Sequence, residues 1–211
     1  MQQQTPNNNM TQGMQNMNHG GHELFDLHEV LSCTINVLDQ FMMFRQFVQD
    51  NELLDILDRQ YNFTLFHYNI TAECFSTGQK PSQETQTYMI QNLSQPIYGI
   101  KPTQPKKPNQ SLADVKDAGI SAHMLGLVKS HAALLTMTSL EVTNPAVRRV
   151  LASQVQNFIE MAYDIFLYQN RNAYYQVPQL EASDMQKMLN TFVPAQGMPQ
   201  MPPNNRAGTV H

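Results

Sequence analysis

Residues 139–151 read SLEVTNPAVRRVL, and the joint inside this stretch decides how the chain folds. Asn144-Pro145 is a helix start signal: an N-cap amide followed by proline at the first helical position, where a backbone N–H has no partner to lose. Upstream, Val115, Ala118, Ala122, Leu125, Val128, Ala132, Leu135 and Ser139 recur at spacings of three and four. Downstream, Val147, Leu151, Val155, Phe158, Ala162, Ile165 and Tyr168 do the same. Each set is one buried face at helical period. The spacing predicts helices over about 112–142 and 145–173, joined by a turn so short that they must run antiparallel.

A second joint of the same kind lies at Asp50-Asn51. Before it, Leu24, Leu27, Leu31, Ile35, Leu38 and Met42 form an apolar stripe, broadened by Val30, Val37, Phe41, Phe44 and Val48. After it, Leu53, Leu57, Tyr61, Thr64, Tyr68, Ala72 and Phe75 form another, ended by Gly78 and Pro81. These stripes predict helices over 23–49 and 51–77. Residues 79–111 hold five prolines and no sustained period; Thr85 to Leu93 could form a short helix, and the rest reads as extended. Such a segment is long enough to return the chain along a bundle of about 39 Å at 1.5 Å per residue. Two helical hairpins joined by one long crossover give an all-α fold, a ferritin-like antiparallel four-helix bundle. Pro178 stops the last long helix, 181–192 reads as a short amphipathic helix, and the bundle domain spans 23–192. The Gln/Asn/Met-rich residues 1–22 and the Pro/Met-rich residues 193–211 read as disordered tails.

The 211 residues include 24 Gln and 18 Asn but only 13 basic and 17 acidic side chains. Polarity therefore comes mainly from neutral amides, which fill the tails, the crossover and the outer faces of the helices. A net charge of −4 and a pI near 5.9 argue against nucleic-acid binding through phosphate neutralisation. No apolar run approaches the roughly 20 residues of a membrane span. The amino terminus lacks a basic-then-apolar signal pattern, so the chain is expected to stay in the compartment where it is made. Two cysteines, Cys33 and Cys74, exclude a disulfide scaffold and a multi-Cys zinc site.

The end of the fourth helix and the residues after it, FLYQNRNAYYQVPQL from Phe166 to Leu180, resemble the spore coat protein F family of endospore-forming bacteria. The paired helices and the Gln, Met and Tyr bias add to the likeness, which covers about 24–190. The resemblance implies a ferritin-like bundle with a structural role in the spore coat, other coat proteins as partners, and no catalytic motif to carry over.

A ferritin-like bundle raises the question of a dinuclear metal site, which needs Glu-x-x-His pairs. The eight Glu residues are followed three positions later by Asp26, Ser32, Asp55, Ser76, Thr87, Asn144, Tyr163 and Asp184, never by histidine. Asp26 stands two before His28, on a different helix face. Glu29, His67, His123, His131 and Glu160 are the candidates for a substitute site, and no spacing converges them. His123 and His131 share a face with Leu127 and read as bordering the apolar stripe, while His19 and His22 read as a solvated tail. Cys33 and Cys74 read as two buried, unlinked thiols. Glu160 and Asp164, one turn apart beside Tyr163 and on the helix of Arg148 and Arg149, read as a solvated face. No catalytic, cofactor-binding or metal-ligating residue is assigned.

The crossover carries Lys80, Lys101, Lys106 and Lys107 among Gln79, Gln83, Gln86, Gln91, Gln95, Gln104 and Gln110, a suitable substrate for isopeptide cross-linking. Tyr88, Tyr98, Tyr174 and Tyr175 are candidates for oxidative coupling. The leading expectation is a non-enzymatic structural protein that assembles with itself or with coat proteins, with Phe41, Phe44 and Val48 as surplus apolar surface between subunits. The alternatives are a ferritin-like metal oxidase or catalase-like enzyme with atypical ligands, and a binding module with a Met-rich adaptable surface.

Overall fold

The computed structural model describes residues 19–202. The chain divides into two units, Met1–Val177 and Pro178–His211. The first holds four long helices: α1 (Gly21–Arg45), α2 (Asn51–Thr77), α3 (Asp117–Glu141) and α4 (Pro145–Arg171). Each packs on two neighbours, α1 on α2 and α3, and α4 on α2 and, most extensively, α3. Leu27, Leu53, Leu135, Phe158, Met161 and Tyr168 are fully buried between them. The described residues form helices and no strand, with bridges only between Val177 and Tyr98 or Gly99.

Both predicted joints are built by their caps. Asp50 accepts bonds from the Glu52 and Leu53 amides at 2.8 and 3.1 Å. Asn144 does the same for Ala146 and Val147 at 2.9 and 3.1 Å, with Pro145 opening α4. Gly78 closes α2 in the left-handed region (φ 63°), its amide on the Cys74 carbonyl. Glu23, fully buried, takes the Thr143 and Asn144 amides at 2.8 and 3.2 Å, and Asn144 Nδ2 donates to the Gly78 carbonyl at 3.0 Å. The start of α1, the end of α2 and the α3–α4 turn are thereby tied at one end.

Three expectations are corrected. Helix α1 stops at Arg45 because the Phe47 and Val48 amides turn back to Phe44 and Arg45, three residues earlier. Helix α3 starts at Asp117 because Asp114 Oδ2 captures the Gln110 and Ser111 amides at 3.1 and 3.0 Å and closes a separate 3-10 turn, Leu112–Asp114. Residues 85–93 form no helix, since side chains of α2 and α4 take their backbone groups instead. The surplus apolar surface is also reassigned: Phe41 is in the core, and Phe44 and Val48 pack against it. The tail expectations fall largely on residues 1–18 and 203–211, outside the described residues; Gly21 and His22 already belong to α1. The second unit contains α5 (Ala182–Leu189), amphipathic, with Lys187 paired to Asp184 at 2.9 Å and Met188, Leu189 and Phe192 exposed.

Candidate functional site

The crossover must carry the chain from the end of α2 to the start of α3, and so runs along α4 in the direction of α4. An extended strand lying on a helix has no ladder partner, and its buried amides need another. Side-chain amides supply it. Asn157 accepts from the Tyr88 amide and donates to the Gln86 carbonyl, both at 2.9 Å. Asn170 accepts from the Ile97 amide at 2.6 Å and donates to the Ile97 carbonyl at 2.9 Å and that of Tyr175 at 3.0 Å. Gln176 clamps the amide and carbonyl of Lys101 in the same way. Between these, Arg171 bonds Ser94 Oγ at 2.7 Å and pairs with Glu52. The clamps climb in order, 88 to 157, 97 to 170, 101 to 176.

Much of the FLYQNRNAYYQVPQL stretch therefore fastens the crossover. Ala173 sits in the left-handed region (φ 57°), and the amides of Tyr174 and Tyr175 return to the Gln169 carbonyl at 2.8 and 3.1 Å. This turn aims Gln176 and Val177 back at Lys101 and Gly99, whose amide donates to the Val177 carbonyl at 2.9 Å. Gln60, Gln154, Asn157, Gln169 and Asn170 are all buried, so part of the amide surplus lies inside rather than on the outer faces.

A buried polar group built on Tyr88 and Asp164 lies under the crossover. Tyr88 Oη donates to Asp164 Oδ2 at 2.6 Å, Arg59 reaches the same oxygen at 3.3 Å, and Gln60 donates to the Met161 carbonyl at 2.9 Å. Arg59 also pairs with Asp55 at 2.8 Å and lies over the Tyr88 ring. Burial, and then the Asp164 charge, push the Tyr88 phenol well above its ordinary range. Asp164 is thus a buried, partnered carboxylate and not part of a solvated face. Its partners escaped the sequence reading because they come from α2 and from a crossover residue 76 positions away.

The candidate metal ligands do not converge. His67 is buried, with Nδ1–H donating to the Phe63 carbonyl at 2.9 Å and Nε2 accepting the Gln86 amide at 3.2 Å. Both nitrogens are occupied, and burial lowers its pKa. His131 is buried edge-on to Phe158. The Thr34 hydroxyl donates to the Val30 carbonyl at 2.8 Å, so His131 must donate Nε2–H to Thr34 Oγ1 at 3.2 Å, leaving a bare Nδ1 lone pair. Burial brings its pKa down to about 4. His123 is exposed beside Phe44, Glu29 is exposed and Glu160 half-buried. Among the described residues no three His, Cys, Asp or Glu side chains gather as ligands would. His22 is exposed and paired with Asp26 at 3.0 Å, whereas His19 is held by Glu23 and the Phe75 carbonyl, both at 2.8 Å.

Cys33 and Cys74 are free thiols. Cys74 donates to the Gln79 carbonyl at 3.1 Å, and burial, aided by Glu73, raises its pKa to about 11; burial also raises that of Cys33. Neither is poised as a thiolate nucleophile. Lys80, Lys101, Lys106, Lys107 and the seven crossover glutamines are exposed. Tyr98, Tyr174 and Tyr175 are exposed as well, but Tyr88 is buried and drops out of the coupling set. No helix among the described residues is long and apolar enough to cross a membrane.

Comparison with known proteins agrees with this picture. The Coat F domain matches residues 116–178, which cover α3, α4 and the clamp turn. The spore coat protein F-like protein YhcQ of Bacillus subtilis strain 168 is 60% identical over 202 residues, 96% of this chain and 92% of that protein. The crystal structure of a candidate spore coat protein from Bacillus halodurans C-125 superposes with a TM-score of 0.56 at 15% identity, covering 80% of this chain and 98% of that one. At that identity the likeness is one of fold.

Proposed function

The chain belongs to the spore coat protein F family, and on that premise we propose that it is a structural, non-catalytic component of the bacterial endospore coat. The observation that carries this reading is the near full-length likeness to a coat F-like protein. The interior supports it, because its buried polar groups are spent mainly on fastening the chain: Asn157, Asn170 and His67 hold the crossover, and Asp164 holds Tyr88 and Arg59. The cyclic packing of α1, α2, α4 and α3, with one long crossover, supports a ferritin-like four-helix bundle used as a building block.

Its partners are further copies of itself and other coat proteins. The exposed lysines and glutamines of the crossover are available for isopeptide bonds in the assembled layer, and Tyr98, Tyr174 and Tyr175 for oxidative coupling. Stepwise extraction of purified endospores tests the reading. The protein is expected in the coat extract, with Gln–Lys or Tyr–Tyr adducts in the residue that resists extraction. Recovery from the decoated core alone would contradict the coat role, and an adduct-free residue would remove the cross-linking.

A further inference from the structure

We propose that the outer face of α1 in one copy seats in a basic groove beside α3 in the next copy, so that the chains associate head to tail. The inference rests on the self-assembly reading above and specifies its surface.

The groove has a volume of about 600 Å³ and lies between α3, the turn after α4 and the end of the crossover. Its floor is made of small residues, Ala118, Gly119, Ala122 and Gly126. A Cβ built on Gly119 or Gly126 would meet nothing within 4 Å. Lys106, Lys107 and Lys129 stand around it, with Tyr174 and Tyr175 as a wall, and no acidic residue lines it. Asp117, close by in sequence, is turned to the Gln49 amide at 2.9 Å. This is a concave, positively charged surface on a protein of net negative charge.

The outer face of α1 is its complement. Phe25, Glu29, Ser32, Asn36, Asp39 and Met43 recur at spacings of four and three and are all exposed. Phe25 is 76% exposed and Met43 53%, and Ile35 and Met42 widen the same face. The stripe carries two acids and no base, and Arg45, the one lysine or arginine on α1, is held by Asp58 at 2.8 and 2.9 Å. Bulky side chains face outward on one helix, and small residues leave room beside another. Pairing either face with itself would oppose like charges, so a two-fold dimer through one face is disfavoured. Joining the two different faces leaves a free face at each end, so association continues past the pair into a filament, or into a ring where the rotation closes.

Sedimentation of the full-length chain over a dilution series tests this. Gly126→Leu fills the groove where space is open and removes a helix-interior glycine, so its thermal midpoint should equal or exceed that of the unaltered chain. Its self-association should fall by about tenfold or more. A Glu29→Lys/Asp39→Lys chain and a Lys107→Glu/Lys129→Glu chain should each fail to associate alone and associate when mixed. Association of Gly126→Leu at unaltered strength, or failure of the mixture, overturns the proposal, as does a monomeric unaltered chain. Extraction of the protein from spore coats is read separately, so this surface can fail while the coat role stands.

Discussion

Replacing Asn157 with alanine removes the donor and acceptor that hold the crossover at Gln86 and Tyr88, both at 2.9 Å. Two backbone groups lose their partners, and each costs about 1–3 kcal/mol if it stays dry. Gln86 is exposed, so water can replace the lost donor at its carbonyl; Tyr88 is only 5% exposed, and its amide cannot be rescued without moving the segment. The expected loss is therefore about 2–3 kcal/mol, dominated by the Tyr88 amide. Gln176→Ala is the internal control, since it breaks the same two-bond clamp around Lys101, which is exposed. Its cost should stay below about 1 kcal/mol. Urea unfolding gives both values, and hydrogen exchange localises them, with the Tyr88 amide exchanging about 30- to 150-fold faster in Asn157→Ala. Equal, small losses for the two variants would refute the idea that buried amides hold the crossover.

Three further outcomes follow from single sites. Burial alone would raise the Glu23 pKa, but the Thr143 hydroxyl, His19 and the Thr143 and Asn144 amides overcome it and bring it from 4.5 to about 2. A depressed carboxyl stabilises above its unfolded pKa, so about 3 kcal/mol is lost as pH falls from about 4.5 toward 2, and Glu23→Gln should flatten that limb of a stability-against-pH curve. His131 is lowered from 6.5 to about 4 by burial; its neutral form is the one that fits, so it costs about 3 kcal/mol of stability between pH 6.5 and 4, and His131→Leu should remove that share of the limb and leave the part due to His67, which burial lowers as well. Ala173 occupies a left-handed backbone position at φ 57°, and Ala173→Gly should raise the unfolding free energy by about 1 kcal/mol in the same urea assay.

The long helices and their joints were readable because local chemistry sets them. Asp50 and Asn144 cap the helices that follow them, Gly78 closes α2, and the three-four spacing marks the buried faces of α2 and α4, whereas on α1 Leu24, Ile35 and Met42 of the expected stripe are exposed and Val30, Val37 and Phe41 are buried instead. Where structure and sequence differ, a contact distant in sequence or a competing side chain intervenes. The Asp114 carboxylate delays α3, and Asn157 and His67 draw residues 86–88 out of a local helix. The partners of Asp164 were hidden for the same reason: Arg59 and Tyr88 are 105 and 76 residues away, and nothing in their own neighbourhoods marks them. The amide surplus was visible as composition, but its buried share was not, because an Asn on the border of an apolar stripe reads as surface until the chain that crosses it is placed. Phe41 differs in the opposite sense: the apolar arc of α1 predicts spare surface at Phe41, Phe44 and Val48, and packing against α2 and α3 draws these three to the core, while the spare apolar surface of α1 lies at Phe25, Ile35, Met42 and Met43.

Immunogold labelling of thin-sectioned endospores shows whether the protein lies in the coat. Gold is expected over the coat layers, retained when the spores are washed in high salt. Label confined to the spore core or to the mother-cell cytoplasm would contradict it.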